Sequence, residues 1–149
     1  MDIRRLTKIL VRADRNDVLE LSADILKTYQ PVIVKEPAKT LTMIRLRDPV
    51  KEGNFYIGEV IACEAAVEIN GVQGFSVMMG DDTEKTLAIA ILDAAINMGV
   101  FGNTARLVAL EKEQNKRIMQ EHAMTLNTMV HFESMDQEAP DDLAANKKE

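Results

Sequence analysis

The chain has 149 residues, enough for one domain with a sizeable core, with 46% apolar and 28% charged residues and a formal net charge of −6. No apolar run approaches the ~18 residues that cross a bilayer, and Lys and Arg are scattered, so neither a membrane span nor nucleic-acid binding is expected. Cys63 is the only cysteine, which excludes an internal disulfide and CxxC chemistry, and Met1-Asp2-Ile3-Arg4-Arg5 lacks a signal peptide's apolar core, so a reducing, cytoplasmic setting is expected.

Leu6, Ile9, Leu10 and Ala13 recur at helical spacing, with Arg4, Arg5, Lys8 and Arg12 on the other face, which predicts an amphipathic helix over 3–13. Asn16 can cap a second helix carrying Leu19, Leu21, Ala23, Ile25 and Leu26 to about Lys27, and the two are expected to form a hairpin. Pro31 ends helical structure. Val32-Ile33-Val34 reads as a short strand, Glu36-Pro37 as a turn and 41–46 as a second strand, before a loop rich in Pro, Gly and Asn at 48–54.

A long strand then begins at Phe55 or Tyr56. Ile61, Cys63, Ala65, Val67 and Ile69 alternate with Glu64, Glu68 and Asn70, so one face is expected to be buried. Asn70-Gly71 predicts a type I′ hairpin turn, since both residues tolerate positive φ. The partner strand, 72–79, carries Phe75, Val77 and Met79 on one side. The expected architecture is therefore α+β: an N-terminal helical hairpin, a four-stranded, mainly antiparallel sheet covered by helices, and a long C-terminal helix.

At the corner 80–84, Asp81 is expected to cap the next helix and Glu84 to return the capping-box bond. That helix, 87–96, is apolar nearly all round and should be buried on more than one side; Gly99 suits its end and Asn103 the start of the next. The last helix, about 104–134, changes character midway. Leu107, Val108 and Leu110 are packing residues, whereas 111–117 is polar on every face and is expected to cross solvent. Ile118, Met119, Met124, Leu126, Met129, Val130 and Phe132 restore apolar character beyond it, and methionine adapts to partner surfaces, so a separate contact is expected there. Residues 1–135 read as one domain and 136–149 as a disordered acidic tail.

Four features could carry chemistry. Glu59 shares the strand face of Ile61 and Cys63, and a carboxylate there needs a partner. Backbone donors or Arg45 could supply one, or Glu59 could act as a general base or in partner binding. Asp81 and Asp82 could cap a helix or bind a divalent cation, and their charge spoils the corner as a phosphate cradle. Asp93, the lone charge in its helix, is expected to bond a neighbouring donor. His122 and His131 lie about two and a half turns apart and cannot share a metal locally, while Cys63 reads as a core thiol. With neither a nucleophile-base pair nor a phosphate loop, the chain reads as non-catalytic, with candidate interface residues Tyr56, Glu59, Met119, Met124, Met129, Val130 and Phe132. The rivals are a stand-alone Mg²⁺ hydrolase using Glu59, Asp81 and Asp82, and an unrelated helical adaptor.

The runs Phe55-Tyr56-Ile57-Gly58-Glu59-Val60, Asn70-Gly71, Gly74-Phe75, Gly80-Asp81-Asp82 and Ala90-Ile91-Leu92-Asp93-Ala94-Ala95, with Glu64 and Val67, are similar to the G subunit of the carbon-phosphorus lyase system, the PhnG family. Leu41-Thr42-Met43-Ile44-Arg45 resembles its strand before the loop, and Thr128, Val130, Phe132, Ser134 and Met135 its C-terminal motif. The resemblance covers residues 3–135. It departs at Thr40, where the family usually has Gly, and at Leu126-Asn127. It implies a cytoplasmic subunit of a complex with H, I and J subunits, joined by an L subunit in a first step that transfers an alkylphosphonate to C1′ of the ribose of ATP and expels adenine. It also implies that the I subunit carries the nucleosidase chemistry, that the J subunit carries an iron-sulfur cluster and S-adenosylmethionine, and that the G subunit binds no cofactor.

Overall fold

The computed structural model describes residues 3–48 and 50–130. In chain order the elements are α1 (Ile3–Arg12), α2 (Arg15–Leu26), β1 (Val32–Arg47), β2 (Asn54–Ile69), β3 (Val72–Met79), α3 (Thr83–Asn97) and α4 (Thr104–Leu126). The strands form one antiparallel sheet in the order β1-β2-β3.

The sheet has three strands among the described residues, where four were expected. Val32-Ile33-Val34 and 41–46 belong to one strand of 16 residues that runs through Pro37. Proline removes a ladder donor, but β1 is an edge strand, and its pairing with β2 shifts register between Ile33 and Lys35 and again between Lys35 and Ala38. Those irregularities accommodate the residue that was read as a turn. Asn70-Gly71 is the expected turn, with φ of 50° and 82°.

The core lies between the sheet and α3. Cys63, Ala65, Val67 and Ile69 of β2 are buried as the period-two pattern predicts. On β3 the buried side is Gly74, Ser76 and Met78, so Phe75, Val77 and Met79 point the other way, into solvent. Gly74 explains the choice: a Cβ there would lie 2.2 Å from the Ala90 carbonyl oxygen and 2.3 Å from the Ala94 nitrogen. Only glycine lets the helix seat so closely on β3.

Asp93 then reaches the edge of the same strand as an acceptor. Its Oδ2 accepts the Phe75 backbone N–H at 3.0 Å, as the expectation of a neighbouring donor required, and the Asn97 amide donates to the Gln73 carbonyl at 3.1 Å. The outer edge of β3 is thus blunted by side chains of α3.

α3 is buried on several sides, from Thr86 through Ala95, because the sheet covers one flank and α1 and α2 cover others. Lys85, unremarkable in sequence at the helix's first turn, is inside too. Its Nζ donates to the Val11 and Ala13 carbonyls at 2.9 and 2.7 Å, satisfying the free C-terminal carbonyls of α1, and burial pushes its pKa down.

The caps differ from expectation. Asp82, not Asp81, caps α3 by accepting the Lys85 N–H at 2.9 Å. Glu84 pairs with Arg15 instead of returning a capping-box bond. α2 starts one residue before Asn16, after Asp14, with no side-chain cap. The contacts of α2 run chiefly to α3, and those of α1 to α4 and α3. The last helix ends at Leu126, short of the expected 134. Phe132, His131 and the 136–149 segment lie outside the described residues.

Candidate protein interface

Two elements leave the body. The first is the antiparallel ribbon made by the end of β1 and the start of β2. β3 stops opposite Ala62, and the last bond from that side is Gly80 N–H to the Ile61 carbonyl at 2.9 Å. From Ile61 back to Asn54, β2 has β1 on one side and no strand on the other. Side chains that would be core elsewhere are open here: Leu41, Met43, Leu46, Phe55, Tyr56, Ile57 and Ile61 are all exposed, Tyr56 at 59% and Ile61 at 52%.

Glu59 lies in this ribbon. Met43 is its register neighbour on β1, and Leu41 faces Ile61 one step along the same face. The expectation that Glu59 is held on a core face by Arg45 or by backbone donors fails. Its side chain is exposed, Arg45 is paired in register with Tyr56, and among the described residues none hydrogen-bonds or ion-pairs with the Glu59 side chain. Period-two alternation put Glu59 on the correct face; the helical layer simply does not reach that far.

The second element is the distal half of α4. Leu107 and Leu110 are buried, and Glu111 and Gln114 make the last attachments to α1. Glu111 accepts from Arg5 at 2.5 and 2.7 Å, and the Gln114 amide donates to the Ile9 carbonyl at 2.9 Å. The Arg5 guanidinium holds the Glu111 carboxyl below the usual carboxylate range. Beyond Gln114 every residue to Val130 is exposed, including Met119 at 74% and Met124 at 70%, with Met129 and Val130 just past the helix end. The polar stretch therefore crosses solvent as its pattern predicts. A concavity of about 1070 Å³ is lined wholly by α4 residues such as Val108, Lys116 and Met119, and is the open flank of a projecting helix, not an enclosed cavity.

The carboxylates of the hydrolase reading do not come together. Asp82 caps α3 and meets Arg15 at 3.2 Å, Asp81 lies 3.6 Å from Lys39, and Glu59 is out on the ribbon. Among the described residues no three His, Cys, Asp or Glu side chains are grouped as metal ligands, and no helix is long and apolar enough to cross a membrane. Cys63 is fully buried on the inner face, and His122 stands exposed on α4.

The geometry is that of an α+β protein whose open features are a bare ribbon, an apolar outer sheet face and a projecting helix. The chain matches the family model described as phosphonate metabolism protein PhnG over residues 3–137, and it belongs to that family. Its role lies in phosphonate metabolism. A comparison with curated proteins returns no match. The matched segment runs past the end of α4 at Leu126 and takes in Met129 and Val130, which are exposed.

Proposed function

We propose that this chain is an accessory, non-catalytic subunit of the carbon-phosphorus lyase core complex, in contact with H, I and J subunits and, in the first step, with an L subunit. In this reading it supports the transfer of an alkylphosphonate to C1′ of the ribose of ATP with release of adenine, while the I subunit carries the nucleosidase chemistry. It binds no cofactor of its own; the iron-sulfur cluster and S-adenosylmethionine belong to the J subunit. The complex works in the cytoplasm.

The observation that carries the reading is the distal half of α4. A helix whose residues are all exposed beyond Gln114, yet which continues to Leu126 with Ile118, Met119, Met124 and Leu126 open to solvent, gains little by being there unless another protein covers it. Isolated helical segments of a dozen residues are marginal in water. Methionine-rich faces suit such contacts because the thioether side chain adapts to an irregular partner. Tyr56 on the ribbon, with Met129 and Val130, completes the exposed set.

Co-expression with the I subunit followed by gel filtration tests the proposal. Co-elution is expected, and Met119→Asp combined with Met124→Asp is expected to weaken it. Separate elution of the unmodified chains sinks the reading.

A further inference from the structure

The surface of the ribbon is more specific than an apolar patch. Residues Asn54 to Ile61 form an open strand edge in line with β3, at the point where β3 turns away at Gly80. The Ile61 carbonyl points towards that edge, since it accepts the Gly80 N–H. By strand alternation the Glu59 N–H and C=O point the same way, with nothing from β3 to meet them. An incoming strand would continue β3 and find its backbone partners already aligned.

The molecule treats its two edges differently. Along β3, Asp93 and Asn97 occupy the Phe75 N–H and the Gln73 carbonyl. Along Asn54 to Ile61 no lysine, no proline and no described helix covers the edge, and the devices that guard it against unwanted pairing are the bulge at Ile57 and the inward-facing charge of Glu59. The side chains beside it, Tyr56, Ile57 and Ile61 with Leu41 and Met43 across the ladder, present an uncovered apolar surface.

Charge decides what can cover it. Glu59 is the only charge between Asn54 and Ile61, and it sits in the row of Leu41, Met43 and Ile61. Covering that row takes the carboxylate out of water, which is costly unless a cation comes with the cover. On the same row of β1, Lys39 already faces Asp81, and Arg45 lies past the bulge at Ile57, in register with Tyr56 and in no ion pair with Glu59. A second copy of this chain joined edge to edge would lay directly beside it a strand with another Glu59 and no Lys or Arg between 54 and 61. A heterologous strand is not so limited.

We infer that residues Asn54–Ile61 accept an extended strand from a different protein, one with alternating apolar residues and a Lys or Arg placed to meet Glu59. This rests on the accessory-subunit reading and names the surface that reading uses. The partner's backbone supplies the ladder bonds, its apolar side chains cover Leu41, Met43 and Ile61, and its cation pairs with Glu59.

The test uses the full chain co-expressed with the H, I and J subunits, and titration of the purified chain onto the remaining subunits. Glu59→Lys opposes the incoming cation, and Glu59→Pro removes an N–H that points to the open edge and not to β1. Each is expected to weaken assembly on the order of tenfold to a hundredfold, while Val50→Lys in the exposed β1–β2 loop leaves it unchanged. Thermal melts of the free chains check folding, and if Glu59→Pro melts early, Glu59→Lys decides. Wild-type affinity for Glu59→Lys overturns the inference and leaves the accessory-subunit reading standing. A loss confined to Glu59→Lys overturns the strand-addition mode. A free wild-type chain that sediments as a dimer, dissociated by Glu59→Pro, overturns the heterologous partner in favour of a second copy. Failure of the wild-type chain to bind any of these subunits overturns both.

Discussion

The two halves of β2 belong to one strand and share one inner row, yet they have opposite fates. From Ala62 to Ile69 the inner row of Cys63, Ala65, Val67 and Ile69 lies beneath α3 and is closed to water. From Asn54 to Ile61 the same row continues through Ile61 and Glu59 with β1 beside it and nothing above. Burial is thus a property of the cover and not of the strand. The covered half holds the fold, and the other half stands open to solvent. α4 repeats the division, with Leu107 and Leu110 docked on the body and Met119 and Met124 outside it.

Two isoleucines on the same face of β2 give the sharpest way to break this comparison. Ile69→Ala removes a fully buried side chain and is expected to cost about 3–5 kcal/mol of stability, read by urea denaturation. Ile61→Ala, on the bare half, is expected to change the isolated chain by less than about 0.5 kcal/mol. Equal losses at the two positions would mean that the ribbon is not free. Next in size is the seat of the cover itself. Gly74→Ala forces a methyl against the backbone of α3 and is expected to cost about 2–3 kcal/mol, with the Tm falling accordingly.

Asp93→Ala releases the Phe75 N–H and is expected to cost about 1 kcal/mol in the same denaturation assay. It also opens the β3 edge, so light scattering at raised concentration should show more self-association than in the wild type. The smallest effect concerns the attachment of α4. Glu111 has its pKa lowered by Arg5, so the pairing stabilises the docked helix fully above the ordinary carboxylate value of 4.5 and loses that contribution as pH falls through the depressed value. Protection factors of the amides in the first turns of α4, taken relative to the intrinsic exchange rate at each pH, should therefore fall on acidification in the wild type, and Glu111→Gln should flatten that dependence.

Much of the architecture was legible from local chemistry. Helical spacing of Leu6, Ile9 and Leu10 marked α1, Asn70-Gly71 marked the hairpin because few other pairs take two positive φ values, and the buried row of β2 followed from its alternation. The polar run after Leu110 announced a helix leaving its domain. Other features depended on distant residues. Pro37 looked like a turn because nothing local says that its strand lies on an edge, and Asp81 and Asp82 are equivalent until the direction of the helix picks one as the cap. Phe75, Val77 and Met79 pattern as a core face as well as Gly74, Ser76 and Met78 do, and only the close seat of α3 on Gly74 chooses between them. Lys85 gave no local sign of its role, because the carbonyls it caps belong to α1, more than seventy residues away.

Family membership and most of the elements were carried by the sequence alone, since turns, periodicity and motif order are written within short stretches. The tertiary structure decided where the cover stops. That boundary turned Glu59 from an expected core carboxylate into the lone charge of an open strand edge, because burial depends on which elements come to lie above a residue and no local pattern records it.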